Sequence, residues 1–272
     1  EWNNTYIPHG INHKNFYPIN KGHEKYDDLI KFRKIMTGGR EYDFIVFWNN
    51  RNIRRKLPGD VIMAYKTFCD MLPTNKAKRC ALVMHTQPKD PNGTDLPAVV
   101  SAVCPEYDVI FSSQKLDDEK LCFLYNIADI QINMASNEGF GLGTCEALMC
   151  GTPISVTVTG GLQDQCGFKN NKGEYLTAEE YVELQSNHRG TYKNHGEWVK
   201  PVFPSNISCQ GSPLTPYIFD DRCSFEDAGE ALLEWYKVGP KERERCGEVG
   251  RQWVQSDDAR MTAKHLSESF IK

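Results

Sequence analysis

Residues 129–161 read as one strand–loop–helix–strand unit, and no other stretch restricts the fold as tightly. "DIQINMA" (129–135) is a short apolar run predicted as a strand. A glycine-rich loop follows, then a short helix over 144–150. Gly151 ends that helix and Pro153 prevents its return. "PISVTVT" (153–159) is the next strand, closed by Gly160 and Gly161. The alternation recurs upstream. "YDFIVFWN" (42–49), "CALVMH" (80–85) and "DVIFSS" (108–113) are further strand candidates. Leu57, Val61, Tyr65, Phe68 and Leu72 form one helical face, and 117–129 looks helical with acids in its first turn. This alternation predicts an α/β fold: a Rossmann-like parallel sheet with helices on both faces.

Residues 163–222 break the pattern and read as an irregular insertion, with "EWVKPVF" (197–203) as a late strand. Helices resume at Ser224, which forms a capping-box pattern with Asp227; Phe225, Ala228, Leu232 and Trp235 make its stripe. Val249 and Trp253 fit a second helix, and Ala259, Ala263, Leu266 and Phe270 a third. No run approaches the ~18 apolar residues of a membrane span. A net charge of −4 gives no general argument for nucleic acid. Ten cysteines occur without a C-x-x-C pair, several in apolar stretches (Cys80, Cys122, Cys145, Cys150), and read as buried reduced thiols rather than zinc ligands. The sequons at Asn3, Asn92 and Asn206 are treated as chance matches, and the compartment is expected to be cytoplasmic.

"NEGFGLGTCEALMCGTPISV" (137–156) carries the chemistry. A strand, a glycine-rich loop and a helix N-terminus suit phosphate, because unpaired N–H groups and the helix dipole favour an anion. Gly139, Gly141 and Gly143 allow close backbone approach, while Phe140 and Leu142 are expected to turn away and pack. A plain sharp βα turn uses the same glycines. The dinucleotide fingerprint does not apply, since Thr144 stands where its last glycine belongs. Glu138 and Glu146, with seven residues between them, border the same crevice and can accept hydrogen bonds from sugar hydroxyls and a ribose diol.

"SNEGFGLGTCEALMCGTPISVTVTGGLQD" (136–164) resembles the signature of retaining glycosyltransferases of the GT-B fold, the "glycosyl transferases group 1" type. "IPHGINHKNFYPI" (7–19) resembles that family's entry to its C-terminal domain. "FWNNRNIRRKLPGDVIMAYKTF" (47–68) and "VIFSSQKLDDEKLCFLYNIADIQI" (109–132) resemble two further segments. The likeness covers 7–164 well, 220–270 in pattern, and does not cover 165–200.

The resemblance implies a nucleotide-sugar donor domain over 1–272, with 1–20 as the inter-domain entry segment, 163–222 as the insertion, and the family's N-terminal acceptor domain absent from this chain. It places Arg51 and Lys56 on the donor diphosphate, Glu138 near the sugar ring and Glu146 on the ribose. Gly139, Phe140, Gly141, Leu142, Gly143 and Thr144 supply backbone to diphosphate and sugar, and Lys115 falls near the base. Arg54 and Arg55 carry no such assignment. His9 can approach the cleft or serve as a surface hinge residue. Asn50, Gly143 and Ser113 depart from the family's usual glycine, proline and glycine. The implied function is retaining transfer of a hexosyl group from a UDP- or GDP-type donor to a carbohydrate, lipid or protein acceptor, with no metal or other cofactor. The alternatives are a non-catalytic nucleotide or nucleotide-sugar binding module, or a GT-B relative such as a sugar-nucleotide epimerase or a phosphorylase; for a phosphorylase no cofactor-lysine context is found.

Overall fold

A computed structural model describes residues 7–184 and 187–271. The Asn3 sequon, the first six residues of the entry segment, and residues 185 and 186 of the insertion lie outside the described residues. Six strands, β1 (Phe44–Asn49), β2 (Cys80–His85), β3 (Asp108–Ser112), β4 (Ile130–Asn133), β5 (Ile154–Thr157) and β6 (Val199–Val202), form one sheet in the order β3-β2-β1-β4-β5-β6. Every pairing in it is parallel. The strands stand where apolar runs predict them, shortened by a residue or two at most ends.

Helices α1 (Tyr26–Met36), α2 (Pro58–Asp70), α3 (Thr74–Ala77), α4 (Leu96–Val103), α5 (Asp118–Ile127) and α6 (Leu142–Met149) link or flank the strands. They are followed by α7 (Gly161–Asp164), α8 (Ala178–Leu184), α9 (Phe225–Val238), α10 (Pro240–Val254) and α11 (Ala263–Ile271). Strand β1 shows why both faces are covered. Phe44, Val46 and Trp48 point into a core shared with α2 and α9, while Ile45 and Phe47 point into one shared with α5 and α6. All five are fully buried. Alternating directions along one strand thus require a helical layer on each side.

Three readings change, and one helix was passed over. The insertion is not irregular throughout: beyond the expected late strand, β6, which joins the main sheet beside β5, β7 (Asn206–Ser212) and β8 (Thr215–Arg222) form a separate antiparallel hairpin. Most of the hairpin is exposed, with Tyr217 and Phe219 each about two-thirds accessible, so no buried face imposes a period on its sequence. Helix α1, passed over in the sequence, sets Leu29 into the core with Tyr26, Phe32 and Met36 packed beside it at helical spacing. The last helix starts at Ala263, because Arg260 takes a left-handed φ of 56° just before it. At α9, Ser224 accepts the Asp227 N–H at 3.1 Å but donates to Glu226, so the capping box is not closed reciprocally.

At the N-terminal edge of the sheet, Asp129 ties three elements together. One of its carboxylate oxygens accepts the Ile45 N–H at 2.8 Å, and the other accepts Arg243 of α10 at 2.7 Å. Arg243 also donates to the Trp235 carbonyl at 3.0 Å. Burial pushes the Asp129 carboxyl upward and the Arg243 charge pulls it back. Arg243→Met strands that carboxylate. We expect a loss of about 3 kcal/mol in urea unfolding, the low end for a broken buried pair because a fifth of the Asp129 side chain stays exposed. A loss under about 1 kcal/mol, the scale of a surface pair, would contradict it.

Candidate functional site

Strand order reverses between β1 and β4, so the loops leaving their C-terminal ends part and open a crevice. The first loop, residues 50–57, carries a 3-10 turn at Arg54–Lys56 and ends at Leu57, whose left-handed φ of 47° starts α2 at Pro58. The second loop, residues 134–141, leads into α6. The two are joined by backbone: the Ser136 N–H donates to the Arg55 carbonyl at 2.8 Å.

Between them lies a cleft of about 620 Å³ lined by His9, Asn49, Asn50, Lys56, Leu121, residues 138–143 and Glu146. Lys56 and Glu138, both buried, form an ion pair at its floor. Burial holds the Lys56 ammonium below the ordinary lysine range, and the Glu138 carboxylate works against that shift. Arg55 Nη1 lies 3.6 Å from the other Glu138 oxygen and donates to the Asn137 carbonyl at 3.0 Å. Asn50 Nδ2 is buried in the cleft wall and has no partner among the described residues.

The glycines divide their work. Gly141, at φ 90°, is the N-cap of α6, and Gln165 donates to the Phe140 and Gly141 carbonyls at 2.7 and 3.1 Å. Gly160, at φ 48°, would place a Cβ 2.1 Å from the Glu138 carbonyl oxygen. Its neighbour Gly161 donates to that same oxygen at 2.9 Å. The glycine pair after β5 therefore braces the site loop from behind. Helix α6 begins at Leu142 rather than 144, so Gly143 and Thr144 belong to its first turn. The Thr144 hydroxyl bonds the Gly141 carbonyl at 2.7 Å, while the Leu142 and Gly143 N–H groups have no acceptor among the described residues.

Phe140 packs as expected, 7% exposed with its ring centroid 5.4 Å from that of His9. Leu142 does not: half its surface is exposed at the cleft, because the helix starts beneath it. Glu146 faces the cleft from α6 and accepts the Tyr125 hydroxyl at 2.6 Å; burial raises its carboxyl, and the Tyr125 bond opposes that shift.

Three expected residues stand apart, the first being Thr144, which is fully buried and does not line the cleft. Arg51 is largely exposed and turned to Asp90, donating to it at 3.0 Å, and it does not line the cleft. Lys115 is exposed on the loop after β3 and does not line it either. Sequence reasoning passed over Asn49, Leu121, Tyr125 and Gln165. Asn49 was discoverable as the last residue of a strand at the crevice, whereas Gln165 reaches the loop only through the fold. One group with metal-ligand geometry occurs among the described residues, Glu197, Glu242 and Cys246; Arg245 already bridges its two carboxylates.

No family model matches the sequence, and no curated protein matches it. Solved structures do. A sucrose-phosphate synthase from Thermosynechococcus elongatus superposes with a TM-score of 0.60 at 21% identity, over 97% of this chain and 50% of that one. Anabaena HepE, solved in complex with UDP and glucose, gives 0.61 at 12% identity, over 97% and 55%. The C-terminal domain of a glycosyl transferase group 1 family protein from Francisella tularensis gives 0.54 at 16% identity, over 91% and 98%. The chain thus spans about half the length of the first two and nearly all of the third. Its order of strands, its layers and its matches agree on one conclusion: this chain has the fold of the C-terminal domain of GT-B glycosyltransferases.

Proposed function

We propose that this chain is the donor-binding domain of a retaining glycosyltransferase that takes a nucleotide-diphosphate hexose. The observation that carries the reading is the Lys56–Glu138 pair, which joins loops 82 residues apart at the topological switch point, beside the open N–H groups of α6. A cation and helix-mouth amides suit a diphosphate, and a carboxylate beside them suits sugar hydroxyls. Placed in a dry cleft, such donors stabilise charge growing on the leaving diphosphate. In this reading the donor's phosphate displaces Glu138 from Lys56, freeing the carboxylate to orient the sugar. Glu146 then holds the ribose, and Gly139 to Thr144 lie along the diphosphate and sugar.

Arg51 is the second phosphate cation of this reading, and it must first exchange Asp90 for the ligand. Lys115 lies by the base, where contact runs largely through backbone. Attack by the acceptor on the face the diphosphate leaves gives retention. The acceptor is a carbohydrate, lipid or protein, held by a further domain, and no metal enters the scheme. We place the reaction in the cytoplasm, in keeping with nine buried cysteines of ten. No helix among the described residues is long and apolar enough to cross a membrane.

Calorimetric titration with UDP, GDP and ADP, then with their sugars, tests the reading; no binding by any of them would end it. Lys56→Ala should weaken diphosphate binding by about ten- to a hundredfold, the scale of a charge-assisted hydrogen bond. Arg51→Ala should cost less, since that side chain gives up Asp90 to bind. The pH dependence follows from burial. Charged Lys56 binds and neutral Lys56 does not, and its pKa is lowered, so affinity should fall with rising pH earlier than an ordinary lysine allows. Lys56→Arg should remove that fall over the same range, because a guanidinium stays protonated. A wild-type affinity flat through the alkaline range would exclude Lys56 as the phosphate cation. For catalysis, Glu138→Ala should depress donor turnover in the complete enzyme while leaving free diphosphate binding intact or stronger. Unchanged turnover would remove Glu138 from the sugar site.

A further inference from the structure

Behind the cleft wall runs a short buried relay. Asn49, at the end of β1, donates from Nδ2 to the Tyr125 hydroxyl at 2.8 Å, and that hydroxyl donates to Glu146 Oε2 at 2.6 Å. Asn49 and Glu146 line the cleft; Tyr125 does not. The Tyr125 ring is fully buried, set edge-on to Phe47 at 5.2 Å and Phe16 at 5.9 Å. A phenylalanine would fill that space equally well, and a buried hydroxyl costs free energy unless it is bonded. The hydroxyl is therefore explained by its two partners rather than by packing.

The relay has a direction. A carboxamide N–H can only donate, so Asn49 occupies an acceptor position on the Tyr125 oxygen and leaves the phenolic proton for Glu146. Gly143 covers the junction: a Cβ there would lie 3.2 Å from the Tyr125 hydroxyl and 3.3 Å from the Asn49 carbonyl. Among the described residues Glu146 Oε1 has no hydrogen-bond partner. One oxygen of the carboxylate is thus held from behind and the other is presented.

We propose that Tyr125 is a positioning residue that keeps Glu146 an oriented carboxylate, with Oε1 presented to the vicinal diol of a donor ribose. This rests on the donor-site reading above. The titratable groups around Glu146 are Tyr125 and Asp118 of α5 and Cys145 and Cys150 of its own segment. Burial and the Asp118 charge favour the protonated acid, and the Tyr125 bond is what favours the anion. A protonated Glu146 would lose acceptor capacity on one oxygen.

The test is Tyr125→Phe in the whole chain, with its thermal melt recorded beside the wild type. Two measurements are made: binding of the best of UDP, GDP and ADP against its 2′,3′-dideoxy analogue, and a carbon-detected NMR titration of the Glu146 carboxyl without ligand. We expect the variant to lose about tenfold in affinity for the ribonucleotide and little for the dideoxy form. We expect the Glu146 midpoint to rise by about one pH unit. Asn49→Ala, which removes the bond that turns the hydroxyl, should change both in the same direction by less. An unmoved midpoint, or equal losses on both nucleotides, overturns the positioning role. If the wild type binds both nucleotides alike while the midpoint still rises in the variant, the relay stands and the diol reading of Glu146 fails.

Discussion

Strand β1 pairs on one side with β2 and on the other with β4, and the rest of the molecule follows from that double pairing. Chain segments more than 80 residues apart become neighbours along β1, and their helices must leave to opposite faces. Where they separate, backbone groups at two strand ends and one helix mouth are left without sheet partners. A cleft with unpaired donors is the consequence, and the loops that border it are free to carry charge.

The charge placed there is costly. Lys56 and Glu138 are both removed from water, and their mutual bond works against the desolvation that disfavours the charged ammonium. Such a pair is weak evidence for stability, because an apolar pair of similar size would serve the core as well. In the proposed function it is two groups awaiting a ligand that has both a negative and a hydroxylated part. Asp129 and Arg243, at the opposite edge of the sheet, show the contrasting use: that carboxylate is satisfied by a backbone amide as well as by its cation, and the hollow the two line is only about 170 Å³.

Support for the site comes from unequal sources. The loop 138–143 is braced by Gly160 and Gly161 behind and by Gln165 at the side, so its Glu138, Phe140 and Gly141 carbonyls are occupied, while the Leu142 and Gly143 amides find no acceptor among the described residues. The loop 50–57 is held by Asn52, which bonds the Thr94 carbonyl at 2.7 Å and accepts the Thr94 N–H at 3.2 Å. Arg51 leaves this framework for Asp90, a surface pair that a polyanion can displace at small cost.

Fold class, strand positions and the glycine loop were legible along the chain because each is written locally. Buried parallel strands require continuous apolar runs, helices require a stripe, and a helix mouth near a ligand requires glycine. The hairpin of β7 and β8 was not legible, since exposed elements impose little pattern; helix α1 carried a helical stripe at Tyr26, Leu29, Phe32 and Met36 that was passed over. The site was legible in part. Lys56, Glu138 and Glu146 could be listed, but their meeting depends on strand order, which no local pattern records. The exposure of Leu142 and the pairing of Arg51 with Asp90 were not legible for a related reason: where a helix begins, and which partner a long side chain takes, are settled by neighbours distant in sequence. Tyr125 reads as one more apolar position in a helix until the sheet brings Asn49 and α6 brings Glu146 to its hydroxyl. Local chemistry specified the parts, and packing across the sheet chose which of them touch.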